Sequence, residues 1–147
     1  MTTSHPVWRS LLYVPANNPR FIEKAHLRGA DGIILDLEDS VPNSDLSKAH
    51  AGLRDAVVSV SQNGADVLIR INYPDDLAAD DIDAAVFDGV AAILVTKARD
   101  AQHVRAISAR MSKREADAGM MLGTIRLVPM IETAAAYFKA VEIGAAD

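Results

Sequence analysis

Gly32-Ile-Ile-Leu-Asp-Leu37 is a short, almost unbroken apolar run that passes directly into the acidic turn Glu38-Asp39. Four more runs of this kind are spaced along the chain: Ser10-Leu-Leu-Tyr-Val14, Val67-Leu-Ile-Arg-Ile71, Ala91-Ala-Ile-Leu-Val95 and Ile125-Arg-Leu-Val-Pro-Met-Ile131. Continuous rather than alternating apolarity is what parallel strands need when both faces are covered. Pro129 is the weak point of the fifth run, because proline removes a ladder donor. A bulge, or a strand that starts later, would accommodate it.

Between the runs the apolar period changes from strand to helix. Asn18-Pro19 reads as an N-cap followed by proline at the first helical position, with Phe21, Ile22, Ala25 and Arg28 after it. Leu46, Ala49, Leu53, Ala56 and Val60 recur at spacings of three and four, a stripe that can face a sheet. Ile82, Ala85 and Val86 mark a third helix. Val104, Ile107 and Met111, started by Asp100, mark a fourth, and a last helix runs from Thr133 to Ile143. The repeated βα unit of about 30 residues implies a parallel α/β sheet. Two closures fit: an open doubly wound sheet or a barrel. No G-x-G-x-x-G follows the first run, which counts against the open dinucleotide-binding sheet, but periodicity alone leaves both standing.

The 147 residues are 50% apolar, enough to bury a core as one domain. Fifteen basic and 20 acidic residues give a net charge of −5, which argues against nucleic acid and anionic membranes as partners. There is no cysteine, so disulfides, thiolate metal sites and cysteine nucleophiles are excluded. No apolar run approaches the roughly 18 residues of a membrane span, and Met1–Ser10 lacks the pattern of a secretory signal. The expectation is a soluble cytoplasmic protein.

In parallel α/β folds chemistry collects where strands run into the following loops. Asn18 and Arg20 follow the first run, and Asp36, Glu38 and Asp39 close the second. Arg70 and Asn72 close the third, Lys97 the fourth and Glu132 the fifth. Acids and bases from five strands thus converge on one rim. Alternation puts Asp36 and Glu38 on one face, where two acids repel unless a cation or a basic group lies between them. Arg70 sits in an apolar strand, where an unpaired guanidinium is costly; it pairs with those acids, or binds a substrate carboxylate in a bidentate fork, or does both.

Glu132 reads either as a first-turn helix acid or as a ligand of magnesium, which takes one or two carboxylates and leaves room for water and substrate. Lys97 has three readings: a solvated charge, a Schiff-base lysine, or the ion-pair partner of Glu38. Asn18-Pro19-Arg20 is either a plain helix cap or an anion site for a phosphate group. His5, in the leader, and the helical His26, His50 and His103 show no metal-ligand spacing, so zinc is not expected.

Taken together these residues match a known pattern. Arg9-Ser-Leu-Leu-Tyr-Val-Pro15 with Asn18-Pro-Arg-Phe21 resembles the opening motif of the citrate lyase beta-subunit family, which includes the malyl-CoA lyases. Gly29-Ala-Asp-Gly-Ile-Ile-Leu-Asp-Leu-Glu-Asp39, Arg70-Ile-Asn72 and Pro129-Met-Ile-Glu-Thr-Ala134 are similar to its later motifs, in order and spacing. The resemblance implies a (β/α)8 TIM barrel, assembled as a homo-oligomer (trimer or hexamer). It also implies a Mg2+-dependent carbon–carbon lyase acting on a CoA thioester and a small keto acid. Carried over, Glu132 ligates Mg2+, Arg70 holds the keto-acid carboxylate, Arg9 lies near the same anionic end, and Asp36, Glu38 and Asp39 form the supporting acids.

Two departures stand out. At the fourth strand's end the family's Pro-Lys-Val-Glu-Ser reads Thr96-Lys-Ala-Arg-Asp100, which keeps the lysine and loses the acid. The family's second metal carboxylate, on a Gly-x-Glu-Asp segment of the sixth unit, is expected beyond Asp147. An eight-unit barrel normally takes about 250 residues, so residues 1–147 read as the N-terminal five-eighths of a single barrel domain. A Schiff-base aldolase using Lys97 and a non-catalytic barrel subunit are the alternatives.

Overall fold

The computed structural model describes residues 6–146; the leader residue His5 lies outside them. Five βα units follow one another. They are β1 (Leu11–Pro15) with α1 (Pro19–Ala25), β2 (Gly32–Asp36) with α2 (Leu46–Val60), and β3 (Asp66–Ile71) with α3 (Asp75–Ala85). Then come β4 (Ala92–Val95) with α4 (Ala101–Asp117), and β5 (Arg126–Pro129) with the short α5 (Ala134–Phe138) and α6 (Ala140–Gly144). Among the described residues no helix is long and apolar enough to cross a membrane.

Strand order decides between the two closures that periodicity left open. The sheet runs β1-β2-β3-β4-β5, every neighbouring pair parallel. A doubly wound sheet reverses direction partway, which puts helices on both faces. Here sequence neighbours are spatial neighbours throughout, so right-handed crossovers place the helices on one face. This is the progression of a (β/α) barrel.

Each face of the sheet has its own core. Ile33, Leu35, Val67, Ile69, Ile93 and Val95 face the helices and are at most 2% exposed. Burying such a side chain is worth about 1.5–3 kcal/mol. On the other face Ile34, Leu68, Ala92 and Leu94 form a separate cluster, with Trp8, Val128 and Met130 packed against it. Trp8 covers the amino-terminal end of this inner face, its indole N–H donating to Asp66 Oδ2 at 2.7 Å. The helix stripe of α2 is buried as its spacing predicts, and Asp100 caps α4 by accepting from His103 N at 2.9 Å.

Two expectations change. Pro129 lies in β5 without any bulge. Arg126 N donates to Ala91 O and Met130 N to Val95 O, so the even-numbered residues face β4 and the nitrogen of Pro129 points away from it. The single helix expected over 133–143 is two short ones, because Lys139 leaves helical torsions between them. Tyr137 and Phe138, just before the break, are 70% and 86% exposed. A segment with so little buried face lacks the packing that holds a helix continuous.

Among the five aspartates of α3, Asp81 alone is fully buried. Its carboxylate receives His50 Nε2 of α2 at 2.6 Å, and Asn72 N and Nδ2 at 2.7 and 2.9 Å. Asn72 Nδ2 also donates to Leu37 O at 2.9 Å, which ties the tips of β2 and β3 together. Replacing Asp81 by alanine would strand these donors and is expected to cost about 3 kcal/mol. A urea titration of the full-length protein checks this; a loss under about 0.5 kcal/mol, typical of a surface change, would contradict the assignment.

Candidate active site

The central ion pair follows from register. Asp36 and Arg70 are cross-strand partners on β2 and β3, so both project from the inner face. Their neighbours along the same row are Leu94 and Val128, which offer no charge. Arg70 therefore reaches back over β2. Its Nε and Nη2 each donate to one oxygen of Asp36 at 2.7 Å, a bidentate fork, and Nη1 lies 3.2 Å from Glu38 and 3.4 Å from Asp39. Burial alone would push the Asp36 carboxyl up. The Arg70 fork, the Ser40 hydroxyl and the Glu38 N–H outweigh it and hold Asp36 below the ordinary carboxylate range. Asp36 in turn raises the guanidinium further, against the opposing effect of burial.

Glu38 links this pair to the next strands. One oxygen faces Arg70; the other accepts from Lys97 Nζ at 2.5 Å. Of the three readings of Lys97, the structure shows the ion pair. Lys97 is also the one non-glycine residue with a left-handed backbone among those described, at φ 46°, which costs roughly 1–2 kcal/mol. In that conformation its backbone N–H donates to Glu132 Oε2 at 2.6 Å. Glu132 lies in the loop between β5 and α5 rather than in a helical turn. The hydrogen bond to Glu38 raises the Lys97 ammonium above its ordinary value. A Schiff-base lysine requires the reverse.

Arg9 is a correction. It precedes β1 and forks onto Asp31, which precedes β2, with contacts of 2.7 and 3.0 Å. That pair stands at the amino ends of the strands, about 20 Å from the carboxyl rim at the usual rise of a strand. Arg9 therefore does not share the anionic end with Arg70. Asn18 and Arg20 do lie at the carboxyl end of β1, but the Asn18 side chain makes no cap bond, and α1 is only seven residues long. Arg20 is exposed and has no ion pair among the described residues. They line a cavity of about 590 Å³ along β1, together with Leu12, Tyr13 and Pro15.

A second cavity, about 420 Å³, opens over Tyr13, Pro15, Asp36, Asp39, Ser40 and Arg70. Tyr13 was missed in the sequence, although its parity on β1 signals the inner face. Its ring lies under the guanidinium, 4.9 Å from centroid to Cζ. Burial raises the phenol's pKa; Asp36, Glu132 and Glu38 add to this while Arg70 opposes it. Arg70 and Glu132 both act on the Tyr13 phenol, from opposite signs.

The donor set suits a hard cation. Among the described residues no three His, Cys, Asp or Glu side chains converge to cage a metal. Magnesium needs only one or two carboxylates, and one Glu132 oxygen is left over after the Lys97 bond. Four carboxylates (Asp36, Glu38, Asp39, Glu132) face two cations here, an excess of negative charge that a divalent ion would neutralise.

Because the Asp36 pKa is depressed on folding, its stabilising contribution is complete above the unfolded value, about 3.9. It is lost as pH falls through the lower folded value. Denaturation measured from pH 7 to pH 2.5 should show stability falling in that acidic window, and an Asp36→Asn variant should lack this component. Parallel curves for the two proteins would refute it.

Comparison with known proteins identifies the family. The family described as HpcH/HpaI aldolase/citrate lyase matches residues 9–147. The citrate lyase subunit beta of Leuconostoc mesenteroides subsp. cremoris is 31% identical over 140 residues, covering 95% of this chain and 46% of the relative. A (3S)-malyl-CoA thioesterase of Cereibacter sphaeroides is 32% identical over 143 residues, covering 97% and 46%. The chain spans a little under half the length of the curated relatives it matches.

Among solved structures, the protein CitE of Mycobacterium tuberculosis, in complex with magnesium, acetoacetate and coenzyme A, aligns at TM-score 0.69 and 27% identity over 97% of this chain and 47% of that one. A malate synthase of Haloferax volcanii aligns at TM-score 0.81 and 11% identity, over 92% and 45%, and supports the barrel fold alone. Motif order, strand progression and the match over 9–147 lead to one conclusion: the chain belongs to the HpcH/HpaI aldolase/citrate lyase family.

Proposed function

We propose that the whole protein is a magnesium-dependent CoA ester lyase, and that residues 1–147 supply the first five units of its single barrel domain. The substrate is a 3-hydroxyacyl-CoA such as malyl-CoA or citryl-CoA, and the products are a 2-keto acid and an acyl-CoA. One observation carries the reading: Arg70 and Glu132 stand on the same rim, joined through Glu38 and Lys97. The CitE structure, with magnesium, acetoacetate and coenzyme A, supports the ligand classes. The same reading includes cytoplasmic location and a trimer or hexamer.

Cleavage removes the proton of the substrate's 3-hydroxyl, breaks the bond between C2 and C3, and leaves an enolate on the acyl-CoA that a proton then quenches. Asp36 occupies the Nε/Nη2 edge of Arg70. The Nη1/Nη2 edge makes only longer contacts, to Glu38 and to the exposed Asp39, and is the edge on which a substrate carboxylate displaces Asp39. Glu132, with Lys97 N–H holding one oxygen, would ligate the metal. The bound ion supplies Lewis-acid stabilisation of the charge that develops on oxygen. Lys97 remains a charged partner of Glu38 rather than a nucleophile.

In the full-length protein, Glu132→Ala should lower metal-dependent cleavage of malyl-CoA or citryl-CoA by at least 100-fold, and chelator should abolish wild-type turnover. A wild-type enzyme indifferent to chelator would end the proposal, as would a fully active Glu132→Ala variant. Borohydride treatment with keto acid should leave Lys97 unmodified; a reduced adduct on Lys97 would establish the Schiff-base aldolase instead. A non-catalytic barrel subunit would show no turnover to lose.

A further inference from the structure

We infer that Tyr13 is a positioning residue for Arg70, acting through the face of its ring rather than through its hydroxyl. The inference rests on the reading of Arg70 as the carboxylate binder. Every other contact of the guanidinium lies at its in-plane N–H groups: Asp36 on one edge, Glu38 and Asp39 at Nη1. Such contacts hold the planar group by its rim and leave its faces to other side chains. Tyr13 meets the face, 4.9 Å from ring centroid to Cζ, the distance of a cation–π contact.

Tyr13 belongs to a register row with Ile34, Leu68 and Ala92, yet it stands outside their apolar cluster and is 45% exposed. Among the described residues its hydroxyl makes no hydrogen bond, and its ring lines the same cavity as Arg70. An aromatic ring behind a guanidinium sets the plane in which the more loosely held Nη1/Nη2 edge meets a carboxylate. Bidentate recognition depends on that plane.

The test compares Tyr13→Phe with Tyr13→Leu in the full-length protein. Run in the bond-forming direction, Tyr13→Leu should raise the KM for the 2-keto acid roughly five- to tenfold, the size of a partly exposed cation–π contact. The KM for acyl-CoA should stay within about twofold, because the loss concerns one carboxylate site. Tyr13→Phe, which keeps the ring, should match wild type. A Tyr13→Leu variant with an unchanged keto-acid KM overturns the inference, as do parallel shifts in both KM values or a Phe variant as impaired as Leu.

A second readout needs no turnover. The Arg70 Nε–H proton resonance, assigned by its loss in Arg70→Lys, should be shifted by the ring current in wild type and in Tyr13→Phe, and should move back in Tyr13→Leu. A resonance that ignores Tyr13→Leu overturns the inference even if the lyase reading stands. A resonance that moves in a protein without lyase activity retires that reading while leaving the contact itself established.

Discussion

A guanidinium placed on the inner face of a nearly all-apolar sheet has to be matched by charge at the same height. In this chain the match is Asp36, the register partner of Arg70 on the adjacent strand. The two must arrive together, because one without the other leaves a buried charge uncompensated. Once they pair, neighbouring geometry follows. The Arg70 side chain is drawn over β2, its Nη1 faces Glu38 and Asp39, and its ring-backed face lies over β1. The apolar row mates Leu94 and Val128 leave it no competing direction.

From Glu38 the contacts continue across the sheet. Lys97 closes β4, spends a left-handed backbone conformation, and touches two acids at once: Glu38 by its ammonium and Glu132 by its N–H. A residue with ordinary torsions would turn its amide elsewhere. The cost of that torsion is the kind of local strain that surrounding contacts sustain at functional positions. The departure of Arg99 from the family's acid at this loop leaves the lysine's role intact, and Arg99 instead pairs with Asp75 of α3 at 2.9 Å.

Much of the fold was legible because strand runs and helix stripes are local properties. Leu46, Ala49, Leu53, Ala56 and Val60 were set on one face by spacing alone, and alternation alone put Asp36 beside Glu38. The pairing of Arg70 with those acids followed from the penalty on an isolated buried charge. Other features depend on which strand lies next to which, and on the side a group faces. Periodicity left barrel progression open, the motif resemblance pointed to it, and strand order bore it out. Pro129 looked disruptive because its nitrogen's direction is invisible in a string of letters. Asp81 resembled four solvated neighbours on α3 until His50 and Asn72 closed around it. Arg9 went to the wrong end because a motif groups residues by order, whereas the strand between them carries the chain across the sheet.

Trp8 closes the amino-terminal end of the inner face beneath Ile34 and Leu68. Below the charged row Arg70 therefore meets apolar side chains rather than mobile ions. Capture of an anion at that row should therefore weaken less with rising ionic strength than capture at a surface guanidinium such as that of Arg9, whose side chain is 80% exposed. An indole at one end of the sheet thus governs how salt-tolerant recognition is at the other.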